Sequence, residues 1–239
     1  MKTVVCFGDS ITRALVSASY IEPLEERLGN NFTFINLGVN NDLTYNLIRR
    51  MDDLVKEKPD LVFILIGTND VTASMSLMHA LFVIQRKRLP IWPTLKWAYA
   101  NLRTIIRRIK DETGATVFIG SIPVIGEDLT SVPVLTAKRY NAQVKAIAAQ
   151  ENARYVPVFE RMEAFLRAEI GGAGRPFQGS VRLLVNLLFR RVFLRESYDT
   201  FSRRKGFSLL TDGIHLNETG AGLIADELEA ALKDYVPLA

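Results

Sequence analysis

The side chains that could perform nucleophilic chemistry lie near the two ends of the chain. Ser10 lies in a Gly-Asp-Ser segment near the start, and an Asp-Gly-Ile-His segment occupies residues 212–215. The carboxylate of Asp212 could orient one ring nitrogen of His215 while the other nitrogen accepts the Ser10 proton, as in a hydrolytic Ser-His-Asp triad. These three residues are therefore candidates for a nucleophile, a general base and the acid that orients the base.

Each candidate also has a purely structural interpretation. Serine is a preferred helix N-cap, so Ser10 could simply cap a helix. An isolated Asp-x-x-His is equally compatible with a capping loop. The chain contains two histidines, so His79 is the competing base. His79 lies inside an apolar pattern, residues 75–84, without a carboxylate nearby in the sequence, which favours a packing or lid role for it.

Two further segments could stabilise negative charge on a substrate oxygen. Gly38 could let the main chain approach a substrate closely, because glycine has no side chain. Asn69, in the Gly-Thr-Asn-Asp segment of residues 67–70, could donate a hydrogen bond through its amide. Together with the N–H of Ser10 they would form an oxyanion hole with three donors. Taken alone, each segment could also be an ordinary turn.

The elements between these segments must bring them together. Short apolar or β-branched runs alternate with longer helical patterns, which predicts parallel β-α-β units in a three-layer α/β sandwich. The predicted strands are residues 3–7, 32–36, 61–66, 116–121 and 155–158. The predicted helices are residues 20–28, 43–56, 95–110, 133–150 and 218–233. Ser10, Gly38 and Asn69 each follow a predicted strand, and ligands of parallel sheets bind beyond those strand ends.

Two basic segments interrupt this alternation. They lie at about residues 72–94 and 165–208, within what we predict to be a single domain, residues 1–239. Residues 74–110 contain eight Lys or Arg and no acidic residue, and residues 175–205 contain eight Lys or Arg and two acids, although the whole chain carries only +4. Residues 180–195 predict an amphipathic helix. Its apolar residues include Leu188 and Phe193, and its polar stripe, with Arg190 and Arg191, is almost entirely cationic.

The sequence does not determine what the two basic segments contact. Cationic faces beside apolar residues are typical of helices that contact anionic membranes, so a lid and peripheral membrane-docking surface is one hypothesis. The alternative is that the apolar faces pack on the body or form a dimer contact and leave the arginines solvated. Nucleic-acid binding is less favoured, because no recognition motif accompanies the basic residues. The oligomeric state is not predicted.

The composition restricts the class of protein. A hydrophobic fraction of 48% and a charged fraction of 23% are typical of a globular domain and exclude a disordered chain. Cys6 is the only cysteine, so no internal disulfide and no set of zinc-binding thiols is available. The apolar runs are too short for a secretory signal or a membrane-spanning helix. We therefore expect a cytoplasmic protein, either free or peripherally attached to a membrane.

The four segments together resemble the GDSL, or SGNH, hydrolase family. Residues 7–12, Gly38, residues 67–70 and residues 212–215 fall in the order and approximate spacing of the four sequence blocks of that family. The resemblance is good over residues 1–72 and 208–235 and general over residues 96–160, and both basic segments lie outside the blocks. It implies a flavodoxin-like sandwich with a mostly parallel five-stranded sheet, and a serine esterase or lipase that needs no cofactor and no metal.

The resemblance also implies a role for each motif residue. The catalytic triad would be Ser10, Asp212 and His215. The oxyanion hole would comprise the N–H groups of Ser10 and Gly38 and the side chain of Asn69.

One residue departs from the family pattern. Many relatives have a second glycine where this chain has Asn41. Asparagine tolerates left-handed main-chain angles, so we expect the loop to be retained.

The favoured substrate is a lipid-type ester or lysophospholipid, and an acetyl ester of a sugar or small molecule is the alternative. A catalytically idle binding module is the alternative outside enzymes.

Overall fold

The centre of the molecule is a five-stranded parallel sheet. The computed structural model describes residues 1–177 and 181–236. The strands are β1 (Lys2–Gly8), β2 (Phe32–Gly38), β3 (Leu61–Leu65), β4 (Thr116–Gly120) and β5 (Arg154–Val156). Their order across the sheet is β2-β1-β3-β4-β5, which is the doubly wound order of flavodoxin-like folds. The predicted fold class is therefore confirmed.

The strand register brings the candidate segments to one edge of the sheet. Gly8 at the end of β1 pairs with Gly38 at the end of β2 and with Leu65 at the end of β3. The segments that contain Ser10, Gly38 and Asn69 thus leave the sheet side by side. All five residues of β3 are buried, which is typical of a strand covered by helices on both faces.

The helices form two groups, one on each face of the sheet. Helices α2, α9 and α12 pack together, whereas α3, α4, α7 and α8 form the other layer. In chain order the helices are α1 (Ser10–Arg13), α2 (Ile21–Leu28), α3 (Thr44–Arg49), α4 (Met51–Lys56), α5 (Thr68–Met75), α6 (Leu77–Lys87), α7 (Leu95–Thr113), α8 (Val132–Gln150), α9 (Val158–Ile170), α10 (Val181–Phe193), α11 (Tyr198–Lys205) and α12 (Glu218–Leu232). A short 3-10 helix spans Lys233–Tyr235. Among the described residues, no helix is both long enough and apolar enough to span a membrane.

Two predicted elements were wrong in detail. The helix predicted over residues 43–56 is divided at Arg50, whose φ of −117° and ψ of 27° are not helical. This break directs the Arg50 guanidinium to the Asp42 carboxylate and the Gly8 carbonyl oxygen, at 2.7 and 2.8 Å. The fifth strand was predicted to reach Val158, but it ends at Val156, and Val158 begins α9.

Both basic segments contain helices. Helix α6 lies within the first segment, and the second contains the end of α9 together with α10 and α11. The helix predicted over residues 180–195 corresponds to α10, Val181–Phe193; residue 180 and the side chains of residues 181–185 and 192 lie outside the described parts.

The described side chains of α10 differ in burial along its predicted apolar face. Leu188, 38% exposed, and Phe193, 70% exposed, face solvent, while Leu187 is buried. Arg190 and Arg191, predicted on the cationic stripe, have partners within the chain: Arg190 pairs with Glu196 and Arg191 lies over the ring of Tyr198. Contacts within the protein therefore engage part of the positive charge that the sequence predicts for this helix.

Candidate active site

Ser10 lies where β1 passes directly into a single helical turn. It is the first residue of α1, and the preceding Asp9 caps that turn by accepting the Ile11 N–H at 3.0 Å. Capping is thus the role of Asp9, which leaves the Ser10 hydroxyl available for another contact.

Gly8 makes the close turn after β1 feasible through its size. A Cβ at Gly8 would lie 2.2 Å from the Thr12 hydroxyl oxygen and 2.4 Å from the Leu65 carbonyl oxygen. A larger residue would therefore push α1 away from the sheet and displace Ser10.

A hydrogen-bonded chain links Ser10 to the segment before the last helix. The Ser10 Oγ lies 3.1 Å from His215 Nε2, and the other ring nitrogen, Nδ1, lies 2.7 Å from Asp212 Oδ2. Asp212 also accepts the main-chain N–H groups of Ile214 and His215 at 3.0 and 2.9 Å. Residues 205 positions apart in the chain are thus joined in the order serine, histidine, carboxylate.

The charges at this site favour an ion pair between His215 and Asp212. Burial opposes ionisation of Asp212, but the positive charge and N–H groups of His215 outweigh it and hold its pKa below the ordinary value. For His215, burial would lower the pKa, but the Asp212 charge and hydrogen bond raise it above the ordinary 6.5. The imidazole is therefore a stronger base than a free histidine, as a general base requires.

Glu127 fixes the loop that carries the histidine and its acid. Its fully buried carboxylate accepts the N–H groups of Ser208, Leu209 and Leu210, at 2.7, 2.7 and 2.9 Å. The adjacent Gly126 N–H donates to the Gly213 carbonyl oxygen at 2.7 Å. Sequence analysis missed Glu127; the only available signal was a pair of adjacent acids, Glu127 and Asp128, within the otherwise apolar residues 122–129.

Asn69 lies close to the serine turn and is already hydrogen-bonded. Its Nδ2 donates to the main-chain oxygen of Asp42 at 3.0 Å and lies 3.4 Å from Asp9 Oδ2. The side chain is thus held between the loop after β1 and the loop after β2.

Gly38 approaches the main chain of α1, as its small size allows. A Cβ there would lie 2.2 Å from the Arg13 nitrogen. Its N–H donates to Asn36 Oδ1 at 2.9 Å, so a bond from this N–H to a substrate oxygen requires the Asn36 contact to be exchanged. Three residues later, Asn41 has a φ of +61°, which confirms that asparagine retains the left-handed turn.

His79, the competing histidine, lies on α6 beside Phe82. Burial lowers its pKa, and its Nε2 is buried without a hydrogen-bond partner among the described residues. Its surroundings fit the predicted packing role. Within the described parts of the chain, no cluster of three or more His, Cys, Asp or Glu side chains is arranged to hold a metal ion.

Comparison with known protein families identifies the chain. The sequence profile of the GDSL-like lipase/acylhydrolase family matches residues 6–223, which is most of the chain. The chain belongs to this family. As a GDSL-type protein it is a carboxylic ester hydrolase. A search of curated proteins finds no match.

Solved structures share the fold of this GDSL hydrolase. The acetylxylan esterase from Geobacillus stearothermophilus is 18% identical, with a TM-score of 0.69 over 100% of this chain and 97% of that chain. A lipase/acylhydrolase from Enterococcus faecalis is 20% identical, with a TM-score of 0.65 over 99% of this chain and 98% of that chain. The acetyl xylan esterase AlAXEase is 18% identical, with a TM-score of 0.65 over 96% and 99%. At these identities the likeness extends to the fold alone.

Proposed function

We propose that the protein hydrolyses carboxylic esters through an acyl-enzyme at Ser10. His215 takes the Ser10 proton as the hydroxyl attacks the ester carbonyl, and returns it to the leaving alcohol. A water molecule, deprotonated by His215 in turn, then releases the acid and restores the serine. The observation that carries the proposal is the continuous chain of contacts, 3.1 Å from Ser10 to His215 and 2.7 Å from His215 to Asp212.

The oxyanion would be stabilised by the N–H of Ser10 and the amide of Asn69. Asn69 Nδ2 has two hydrogens, so it can keep its contact with Asp42 and donate the other to a substrate in exchange for the longer, 3.4 Å contact with Asp9. Gly38 is the third predicted donor, once its N–H leaves Asn36. The main-chain N–H of Asn41 is a further candidate donor to the oxyanion. It has no acceptor among the described residues, and Asn41 directly precedes Asp42, which binds Asn69.

Hydrolysis of p-nitrophenyl esters by wild type and Ser10→Ala tests this mechanism. We expect activity in the wild type that is abolished in Ser10→Ala, and covalent labelling by a fluorophosphonate probe only in the wild type. Equal activity or equal labelling of the two proteins would refute the role of Ser10.

We propose a lipid-type ester as the substrate, presented at an anionic membrane surface. Helix α6 buries Ala80 and Val83 on one face and exposes large apolar side chains on the other. The exposed set, which we call the α6 surface, comprises Leu77, Met78, Leu81 and Phe82 of the helix together with Ile91 and Trp92 of the connection that follows it. Exposed aliphatic and aromatic residues in such a group favour insertion among lipid headgroups.

The positive charge beside the α6 surface supports an anionic partner. Arg86, Arg88 and Lys96 are exposed and form no ion pair with any described residue. Other cations of residues 74–110 are neutralised within the fold, for example Arg107 by Glu151 and Arg108 by Glu112. The attraction to anionic lipid would therefore come from the cations next to the apolar residues.

Vesicle sedimentation tests the surface. We expect the wild type to sediment with anionic vesicles at low salt, and a Leu81→Ser, Phe82→Ser double variant to remain in the supernatant. Val132→Ser, which removes a still more exposed apolar side chain at the start of α8, is the control and should bind like the wild type. Equal recovery of all proteins with neutral and anionic vesicles would contradict the proposal.

A second candidate substrate is an acetyl ester of a sugar or another small molecule. It is supported by the named activity of two structural neighbours, which are acetylxylan esterases. Comparing acetate with palmitate esters, with and without anionic vesicles, separates the candidates. Activity that shifts to long chains on vesicles supports the lipid ester, whereas activity confined to acetate supports the acetyl ester and assigns the two basic insertions of the single domain to packing or association.

A further inference from the structure

We propose that Lys87 is a positioning residue for the Asn69 amide and acts on it through Asp42. The inference rests on the proposed role of Asn69 in ester hydrolysis. It assigns a function to a residue of the first basic segment, which lies outside the family motifs.

Asp42 is a buried carboxylate held by two cations. Its side chain is 3% exposed, with Arg50 Nε 2.7 Å from Oδ2 and Lys87 Nζ 2.7 Å from Oδ1. Each carboxylate oxygen therefore has its own charged donor, which is the arrangement that makes a buried carboxylate tolerable. Arg50 also binds the Gly8 carbonyl oxygen at 2.8 Å, so the same cluster contacts the end of β1.

The main chain of Asp42 fixes the direction of the Asn69 amide. Its carbonyl oxygen accepts Asn69 Nδ2 at 3.0 Å. One amide hydrogen is thereby committed to Asp42. Because the amide group is planar, this bond also sets the direction of the second hydrogen, which has only a 3.4 Å contact with Asp9. A shift of Asp42 would rotate the donor that we assign to the oxyanion.

Lys87 differs from the basic residues on either side of it. Arg86 and Arg88 are exposed, whereas the side chain of Lys87 is 15% exposed and points to Asp42 from the last turn of α6. Burying a lysine is costly unless it is paired. This cost argues that the contact with Asp42 is specific, and that Lys87 is not simply part of a solvated cationic surface.

Two other buried carboxylates make the second cation necessary. Burial raises the pKa of Asp9 to about 7 and that of Asp70 to about 6, and the negative charge of Asp42 adds to both shifts. If Lys87 is removed, Asp42 keeps only Arg50 and is repelled by these neighbours. The loop that carries Asp42 then moves toward solvent, and Asn69 loses its acceptor.

Steady-state kinetics on a p-nitrophenyl ester test the inference. For Lys87→Met we expect kcat to fall about 10- to 100-fold with KM nearly unchanged, because a misdirected oxyanion donor affects the transition state more than substrate binding. Lys87→Arg should recover much of the rate by restoring the charge. Lys56→Met removes a lysine that is 75% exposed at the end of α4, outside the proposed sites, and should behave like the wild type. A wild-type kcat for Lys87→Met, or an equal loss in Lys56→Met, would overturn the inference.

A measurement that needs no turnover separates this inference from the proposed function. The side-chain amide resonances of Asn69, assigned with Asn69→Ala, report directly on its hydrogen bond to Asp42. We expect these resonances to shift in Lys87→Met and to stay in place in Lys56→Met. Unchanged resonances in Lys87→Met refute the link whatever the activity. If the resonances shift in Lys87→Met but the wild type has no Ser10-dependent activity, the result instead supports the link and refutes the proposed hydrolysis.

Discussion

At the scale of single residues, the site depends on how His215 is held. One ring nitrogen faces Ser10 and the other faces a carboxylate that also binds the His215 main-chain N–H. The ring thus has one orientation in which it can accept the serine proton. The pKa directions of His215 and Asp212 agree with the same arrangement.

Replacing Asp212 tests the role of that carboxylate. We expect Asp212→Ala to lower kcat about 10³- to 10⁴-fold while folding is nearly unaffected. Since Asp212 raises the pKa of His215 above 6.5, the acidic limb of the kcat/KM profile should lie above pH 6.5 in the wild type and move to lower pH in the variant. Asp111→Ala, which changes an exposed acid, is the control. A fully active Asp212→Ala would refute the assignment.

Asn69 provides a second test at this scale. Asn69→Ala removes an amide donor near the serine turn, and loss of one oxyanion donor typically costs about 10²- to 10³-fold in kcat. We expect a fall of that size with a small change in KM. Stopped-flow or steady-state rates on the same p-nitrophenyl ester measure it, and a large rise in KM at constant kcat would instead indicate a role in substrate binding.

At the scale of elements, the proposed acid and base are carried by a loop that is anchored to the loop after another strand. Glu127 follows β4 and binds three consecutive N–H groups of residues 208–210 with one carboxylate. Because the carboxylate is buried, these bonds are not screened by water. The loop that contains Asp212 and His215 therefore depends on the β4 end for its position.

Glu127→Gln tests this anchor. Glutamine offers one acceptor oxygen, and its NH₂ group would face a main-chain donor, so we expect a loss of about 1–3 kcal/mol in the free energy of unfolding. We also expect kcat to fall and the melting temperature to drop. Glu169→Gln, an exposed acid on α9, should change neither. Denaturant unfolding and ester hydrolysis measure the two effects, and unchanged values for both would exclude the anchor.

At the scale of the whole molecule, buried carboxylates make folding stability depend on pH. Asp70 accepts the N–H and hydroxyl of Thr44, yet burial, as the largest cause, raises its pKa from 3.8 to about 6. The folded protein therefore holds a proton that the unfolded chain loses, and the stability that this protonation provides is present below pH 4 and is lost as pH rises through 6.

An Asp70→Asn variant isolates this contribution, because asparagine has no charge to bury. The stability of the wild type relative to the variant should fall by up to about 3 kcal/mol between pH 4 and pH 7, from the size of the pKa shift. Urea unfolding at a series of pH values measures this difference. Parallel curves for the two proteins would show that Asp70 is not the responsible group.

The sequence alone determined the sheet and the location of the site. Alternating strand and helix patterns implied parallel strands, and the carboxyl ends of parallel strands necessarily meet at one edge, so Ser10, Gly38 and Asn69 were predicted to lie together. Local patterns were sufficient here because each segment follows its own strand directly. His215 and Asp212 were found from their spacing and the family resemblance.

Only the tertiary structure decided which polar groups are paired. Lys87 and Asp42 are 45 positions apart, and Glu127 binds N–H groups more than 80 positions away. No local pattern predicts such contacts, because they depend on where loops from different strands meet. For the same reason, the positive charge of a basic segment was predicted from its total number of Lys and Arg residues. In the structure some of these cations pair with buried or nearby acids, and others are exposed. Only the cations that form no ion pair within the protein are available to bind an anionic partner.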